Sequence, residues 1–398
     1  MITELRIERF KCFRDQVFRC GPLTVLAGSN GVGKSTVLQS LLLVQLSNRM
    51  PYGDVPLNGH LGLQLGEMMD VLHHGSALAD GIRFTLKDEE SFFTLDLGGQ
   101  ERSRVLRKRN FAGDFEQPRK IPIPINGDNA IDGFRLTITD PKKLPHKEKQ
   151  GFSYLSADRL GPQDRYEAVD FAEAGINGGA RGEAVGQALV DTERKLVREA
   201  LVRTLPSGDP APKNVPRQTE LWLSHIVRPI LIDAKAIPDA GIVMLRFKEP
   251  GFGNEWMRPT NTGFGLSNAL PIIVAGLSMD EGGVLLVENP ESHLHPAAQS
   301  RMGAFLAKVA GSGVQVILET HSDHILNGIR RAAILEKVLD CQDVVIHFFQ
   351  DAVEADDMTV GVTTIDLQTN GDLSQWPDGF FDQIETDLAA LAKLRRGK

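Results

Sequence analysis

Apolar and polar positions along this chain fall into runs whose spacing divides it into strands, helices and turns. Leu5 and Ile7, then Phe10, Phe13 and Val17, predict one or two strands at the start. The unbroken run Pro22-Leu23-Thr24-Val25-Leu26-Ala27 predicts a buried strand. Val37, Leu38, Leu41, Leu42 and Val44 then recur at helical spacing. Between 81 and 98, Ile82, Phe84, Leu86, Phe92, Phe93, Leu95 and Leu97 predict a meander of short strands turning at Lys87-Asp88-Glu89-Glu90. Residues 110 to 150, rich in Pro, Gly and charge, read as a long excursion. A strand returns over Phe152 to Ala157. Helix follows at the far end of 168–204, around Leu189, Val190, Leu196, Val197 and Leu201, and again over 217–231, where Trp222 reads as core.

In the second half Ile242 to Phe247 predicts a strand and the residues through Leu277 an apolar helix. Gly283 to Val287 and Val314 to Leu318 have the composition of buried strands. Between them Ala298, Met302, Phe305, Leu306 and Val309 describe an amphipathic helix closed by Gly311. A strand pair over 344–349 and 359–366, a turn at Asn370-Gly371 and a helix with Ile384, Leu388, Leu391 and Leu394 complete the pattern. The aromatic cluster Trp376, Phe380 and Phe381 reads as a cover for the core. No heptad is sustained in the middle region, which excludes a long coiled-coil arm there and leaves a compact lid.

Strands alternating with helices predict an α/β architecture, and 398 residues with 41% apolar content suffice for one large domain with an inserted lobe. We divide the chain into an N-terminal part of the core (1–75), an inserted β meander and helical lid (76–235), a C-terminal part of the core (236–340) and an accessory segment (341–398). With 44 basic and 52 acidic residues the net charge is -8, so no global field draws the protein to nucleic acid or anionic lipid. The local exception is Arg102, Arg104, Arg107, Lys108 and Arg109, continued by Arg119 and Lys120, which is either a phosphate-backbone contact or a solvated face. Cys12, Cys20 and Cys341 are spaced for neither a disulfide framework nor a zinc knuckle. With no apolar run long enough to span a bilayer, a cytoplasmic location is expected.

The chemistry centres on Gly28-Ser29-Asn30-Gly31-Val32-Gly33-Lys34-Ser35-Thr36, which fits the phosphate-binding pattern G-x-x-x-x-G-K-[ST] between a strand and a helix. The glycines Gly28, Gly31 and Gly33 let backbone N–H groups wrap a phosphate chain, with Asn30 and Thr36 in the same cradle. Lys34 reaches the β- and γ-phosphates of a nucleoside triphosphate, and the Ser35 hydroxyl ligates Mg²⁺. A second anion site is expected at Thr262-Gly263-Phe264-Gly265-Leu266-Ser267-Asn268, where Gly265 and Ser267 precede an apolar helix and would cap a nucleotide held by another copy. Glu288 stands at the C-terminal end of a buried strand, where a carboxylate holds Mg²⁺ directly or through water, and Glu291 is the next carboxylate in reach.

His321, at another strand tip in Glu319-Thr320-His321-Ser322-Asp323-His324, would sense a γ-phosphate; the alternative is a zinc cluster. Ser322 or Asp323 is the N-cap of the following helix. His293 and His295 are either ligands or loop histidines on backbone or a partner, while adjacent His73 and His74 face apart and are structural. Lys11 and Phe13 are either a base-stacking site or core strand residues. Arg159 either faces a ligand or pairs with Asp158.

These motifs, in this order, resemble the ABC-type ATPases of the SMC, RecF and OLD group. Glu-Asn-Pro-Glu-x-His-Leu-His-Pro, Glu-Thr-His-Ser-Asp-His and the late Trp-Pro-x-Gly-Phe-Phe-Asp resemble a bacterial subfamily of AAA-labelled ATPases ending in a short domain of unknown function. The resemblance covers nearly the whole chain. It implies a P-loop NTPase of ABC or SMC-head type with a mixed sheet, an antiparallel β segment and a helical lid insert, using ATP and Mg²⁺. It also implies that Gly265 and Ser267 touch the γ-phosphate across a head-to-tail dimer, that His321 is the switch histidine, and that Glu288 replaces the usual aspartate.

Asn289 departs from the family, which carries the catalytic glutamate there; an amide cannot take a proton, so hydrolysis is expected to be slow, with Glu291 assisting. Neither a nuclease domain nor a coiled coil is visible, so any cutting would belong to a separate effector. The expected role is control of such a partner in anti-phage defence, or else a RecF-like DNA clamp in DNA repair. A transporter subunit is disfavoured because no membrane-coupling segment is recognisable.

Overall fold

The computed structural model describes residues 1–49, 54–89, 91–113, 151–168, 179–251, 255–350 and 360–396. Arg119, Lys120 and most of the Pro- and Gly-rich excursion lie outside them. The chain opens with β1 (Glu4–Phe10), β2 (Phe13–Arg19) and β3 (Leu23–Gly28), then the long helix α1 (Lys34–Arg49), β4 (Asp54–Pro56) and one turn of helix α2 (Met68–Val71). The predicted meander is β5 (Ile82–Lys87), β6 (Phe92–Gly98) and β7 (Val105–Gly113), followed by β8 (Phe152–Leu155) and β9 (Arg165–Glu167). Helices α3 (Val185–Asp191) and α4 (Val215–Ile226) precede β10 (Leu231–Ile237) and β11 (Ile242–Lys248). The remainder alternates: α5 (Phe264–Ser278), β12 (Val284–Glu288), α6 (Pro296–Gly311), β13 (Gln315–Thr320), α7 (Asp323–Ile334), β14 (Val344–Gln350), β15 (Gly361–Asp366) and α8 (Gln383–Arg396).

The central sheet has the order β15-β14-β3-β13-β12-β8, parallel except for β15. Successive side chains of a strand point to opposite faces, and the two cores follow that alternation. Val25, Leu285, Val287, Val316 and Leu318 face a core shared with α5, α6 and α7. Leu26, Leu286 and Ile317 face a second core built from α1 and the N-terminal strands. Both faces are covered, which is why these strands read as continuous apolar runs rather than alternating ones.

The strands of residues 82–113 do not stand apart from the N-terminus: they extend its sheet, in the order β2-β1-β5-β6-β7-β4. A third sheet, β10-β11-β9, covers α3 and α4. Those helices are packed into the core of α5 and α6, with Trp222 3% exposed and its indole N–H donating to the Leu201 carbonyl at 2.8 Å. The α-helix expected within 168–204 is confined to α3 among the described residues; Leu196, expected on that helix, is 67% exposed in the connection beyond it. The helix expected over 217–231 ends at Ile226, because Leu231 already belongs to a strand.

Phe13 is a core aromatic, buried against Phe18 at 5.4 Å, and Lys11 donates to the Gln39 amide oxygen at 2.7 Å. Phe13 is thus a core strand residue, while Lys11 lies in the turn between β1 and β2 at φ +50°. Phe380 is fully buried, edge-on to Phe348 at 5.0 Å and to Trp376 at 5.2 Å, so the late aromatic cluster does cover the core. Among the described residues no helix is long and apolar enough to cross a membrane.

Candidate functional site

In a parallel sheet the strand C-termini share one edge, and here that edge carries Gly28 of β3, Thr320 of β13 with His321 after it, Glu288 of β12 and Ser156 after β8. The phosphate loop crosses it between β3 and α1. Gly28 has φ +135° and a side chain there would stand 2.2 Å from the Phe349 carbonyl oxygen; Gly33 has φ +101° and faces the Cys12 sulfur. Only glycine tolerates that backbone at that distance. Gly31 (φ +80°) looks into open space. The result is a loop whose backbone is left uncovered at Gly31.

Lys34, 2% exposed, folds back over the loop and donates to the carbonyls of Gly28, at 3.1 Å, and Ser29. Its ammonium lies 3.8 Å from Glu319 Oε1. Burial lowers its pKa, and Glu319 and Glu291 oppose the shift. Ser35 Oγ donates to Glu319 Oε2 at 2.7 Å. Glu319 is therefore the carboxylate joined to the phosphate loop. It was legible in the sequence only as part of a histidine-containing cluster, not as a partner of Ser35. Burial raises its pKa, the Ser35 hydrogen bond opposes that, and Glu288 adds to it.

Glu288 faces the other way. Its Oε1 accepts from the Tyr154 hydroxyl and its Oε2 from the Ala157 N–H, each at 3.0 Å, so it is tied to β8 and not to Ser35. Burial, with Glu288 next, pushes the Tyr154 phenol well above its ordinary range. Asn289 adopts φ +43°, donates its N–H to the Glu319 carbonyl at 2.9 Å, and keeps a buried side-chain oxygen without a hydrogen-bond partner.

Arg159, 6% exposed, holds this corner by donating to the carbonyls of Ser156 at 2.8 Å and of Glu288 and Asn289 at 2.6 Å. Burial lowers its pKa to about 10, and Glu291 and Glu288 oppose the loss. Asp158 is paired with Arg181 at 3.1 Å instead.

Glu291 bridges to β13, accepting from Thr320 Oγ1 at 2.8 Å and from the His321 N–H at 2.7 Å. His321 Nε2 lies 3.8 Å from Glu319 Oε1. Burial and then Lys34 lower its pKa, which favours the neutral ring. Ser322 caps α7, accepting from the Ile325 N–H at 3.2 Å. The structure thus gathers Gly28, Lys34, Ser35, Glu291, Glu319 and His321 in one network.

The second anion site is arranged differently. Ser267 is one turn inside α5, 4% exposed, and its hydroxyl is buried with no hydrogen-bond partner. The exposed end of that helix is Gly263 and Phe264, the latter 53% exposed with its ring 5.2 Å from that of His293. Gly265 lies against the His293 carbonyl. His295 accepts from the Ala297 N–H at the start of α6, so both histidines serve the loop. Among the described residues no group of three or more His, Cys, Asp or Glu is arranged to hold a metal ion.

The basic stretch is met by acids: Arg104 lies 3.9 Å from Glu67 and Arg107 3.8 Å from Asp54. Lys108 donates to the Ser47 carbonyl at 2.5 Å, and burial lowers its pKa.

Residues 4–196 match a family model described as an AAA domain, 222–326 one described as an AAA ATPase domain, and 339–391 a protein of unknown function (DUF3696). An OLD nuclease of Thermus scotoductus is 30% identical over 105 residues, which is 24% of this chain and only 20% of that relative. Two solved structures share the fold at 12% identity. One is an SMC head bound to the C-winged helix domain of ScpA (TM-score 0.52, covering 93% of this chain and 98% of that one). The other is an Smc head with an extended coiled coil bound to the C-terminal domain of ScpA from Pyrococcus furiosus (TM-score 0.50, covering 99% of each).

Proposed function

We propose, from the premise that this chain is an ABC-type AAA ATPase of the SMC, RecF and OLD group ending in a domain of unknown function, that it binds ATP at the phosphate loop and hydrolyses it slowly, and that nucleotide-driven pairing of two copies controls a separate effector. The observation that carries this reading is the convergence of Lys34, Ser35, Glu319, Glu291 and His321 on one sheet edge beside an open glycine cradle.

On binding, Lys34 exchanges the carbonyls of Gly28 and Ser29 for phosphate oxygens, and the N-terminus of α1 faces the same anion. The donor set fits Mg²⁺: the Ser35 hydroxyl and the carboxylate hydrogen-bonded to it are hard oxygen ligands that would hold it. When bound, the ion supplies positive charge to the β- and γ-phosphates. Asn289 cannot accept a proton, so turnover is slow. Glu291, with one hydrogen bond on each oxygen and lone pairs to spare, takes the proton of the attacking water. Neutral His321 reads the γ-phosphate.

In the pair, the exposed end of α5 from one copy caps the nucleotide of the other. Ser267 joins that contact through a shift of the helix start, since its hydroxyl is covered in the single chain. The similarity to an OLD nuclease supports a nuclease as the effector, and anti-phage defence is the setting we propose for it. A RecF-like clamp is the weaker reading, because Arg104 and Arg107 already face acids. An ATP-dependent mobility shift of duplex DNA, weakening with salt, would reinstate it.

Light scattering on the intact chain with and without ATP, alongside turnover of wild type and Glu291→Gln, tests this reading. ATP is expected to double the mass. Glu291→Gln is expected to lose turnover by about 100-fold while still binding nucleotide. A monomer at every ATP concentration removes the pairing, and an unimpaired Glu291→Gln enzyme removes Glu291 from its role.

A further inference from the structure

We propose that Glu319, on the strand next to the phosphate loop, is the carboxylate that binds the divalent cation together with Ser35, and that without nucleotide it latches the loop by holding Ser35 and Lys34. This assignment rests on the phosphate loop being the ATP site, and it replaces the expectation that Glu288 fills the role. Strand order is the first reason. β13 lies directly beside β3, with Glu319 opposite Leu26, whereas Glu288 is one strand farther away, opposite Glu319. A carboxylate already hydrogen-bonded to the loop serine needs little displacement to share a cation with it.

The second reason is that Glu288 is already committed. Each of its oxygens accepts a hydrogen bond from β8 or the residues after it, and the carbonyls of Glu288 itself and of Asn289 are held by Arg159. Turning Glu288 toward Ser35 would strip the Tyr154 hydroxyl and the Ala157 N–H of their acceptor. The third reason is charge. Glu288, Glu291 and Glu319 converge at this corner, with Lys34 and Arg159 as the cations around them. Glu319 is the member of this group aimed at the cradle, and it repels incoming phosphate until a cation neutralises it.

A carboxylate that is both latch and ligand has a double consequence. Removing its charge frees Lys34 and lowers repulsion, so nucleotide binds better in the absence of metal. The same change takes away a ligand, so metal helps less.

The test is a titration of the intact chain with a fluorescent ATP analogue, once in EDTA and once in Mg²⁺ at fixed ionic strength, for wild type, Glu319→Gln, Glu319→Asp and Glu288→Gln. Wild type is expected to gain about tenfold or more in affinity from Mg²⁺. Glu319→Gln is expected to bind better than wild type in EDTA and to gain less than ~3-fold from Mg²⁺, while Glu288→Gln keeps the wild-type gain. Glu319→Asp retains charge but shortens the reach, and its gain is expected to fall between the two. If Glu319→Gln fails to fold, the aspartate variant decides: a gain equal to that of wild type overturns the assignment.

A wild-type gain in Glu319→Gln, or a lost gain confined to Glu288→Gln, also overturns it. Wild type that binds no analogue in either condition overturns the ATP reading beneath it.

Discussion

The tips of β12 and β13 are neighbours in one sheet and both carry a glutamate, yet they are connected to opposite sides. At β12, Glu288 turns to β8 and is held by Tyr154 and Ala157, and Arg159 ties the following backbone down. At β13, Glu319 turns to β3 and meets Ser35 and Lys34, with His321 beyond it. The β12 tip is therefore braced against the sheet, whereas the β13 tip is bonded to the phosphate loop and the start of α1. Strand order, more than residue type, decides which glutamate serves the loop.

The largest break in this comparison is Lys34→Ala, which removes the cation between Glu319 and the cradle. ATP affinity, read by equilibrium dialysis, is expected to fall by about 100-fold, the usual scale for truncating a buried charge partner. An affinity within a few-fold of wild type would mean that the β13 tip is not the phosphate side.

Gly28→Ala attacks the cradle itself. The residue has φ +135° and its new methyl would meet the Phe349 carbonyl of β14 at 2.2 Å, so a loss of about 3 kcal/mol is expected in denaturant unfolding. Tyr154→Phe sharpens the comparison from the β12 side. Losing a hydrogen bond to a carboxylate should cost about 1.5 kcal/mol in the same assay while leaving nucleotide affinity within ~2-fold.

The smallest effect is in pH. Burial raises the pKa of Glu319 in the folded chain above its ordinary value near 4.5, so in that window the native state binds more protons than the unfolded one. Its contribution to stability is complete below the ordinary value and is lost as pH rises through the raised one. Glu319→Gln should remove this slope from the nucleotide-free protein. A wild-type stability profile that matches that of Glu319→Gln across the acid range would contradict the burial that the β13 tip imposes.

Much of this was readable from residues alone. The phosphate loop fits its pattern residue for residue, and the apolar runs of β3, β12 and β13 are those of strands covered on both faces. What periodicity could not give is adjacency. Ser35 and Glu319 are 284 positions apart, and only the strand order places them together. The pairing of β1 with β5 was hidden for the same reason: local alternation predicts strands but does not choose their partners. Ser267 shows another limit. The motif located a helix start to within a turn, and across that turn the chain passes from exposed Gly263 and Phe264 to a Ser267 hydroxyl buried in the core.

The most direct measurement is the crystal structure of the intact chain with a non-hydrolysable ATP analogue and Mn²⁺, located by anomalous scattering. The account predicts the triphosphate in the glycine cradle, Lys34 turned from its own loop carbonyls to the phosphates, and the Mn²⁺ peak coordinated by Ser35 and Glu319. Nucleotide bound elsewhere, Lys34 still on the carbonyls of Gly28 and Ser29, or a Mn²⁺ peak on Glu288 alone would contradict it.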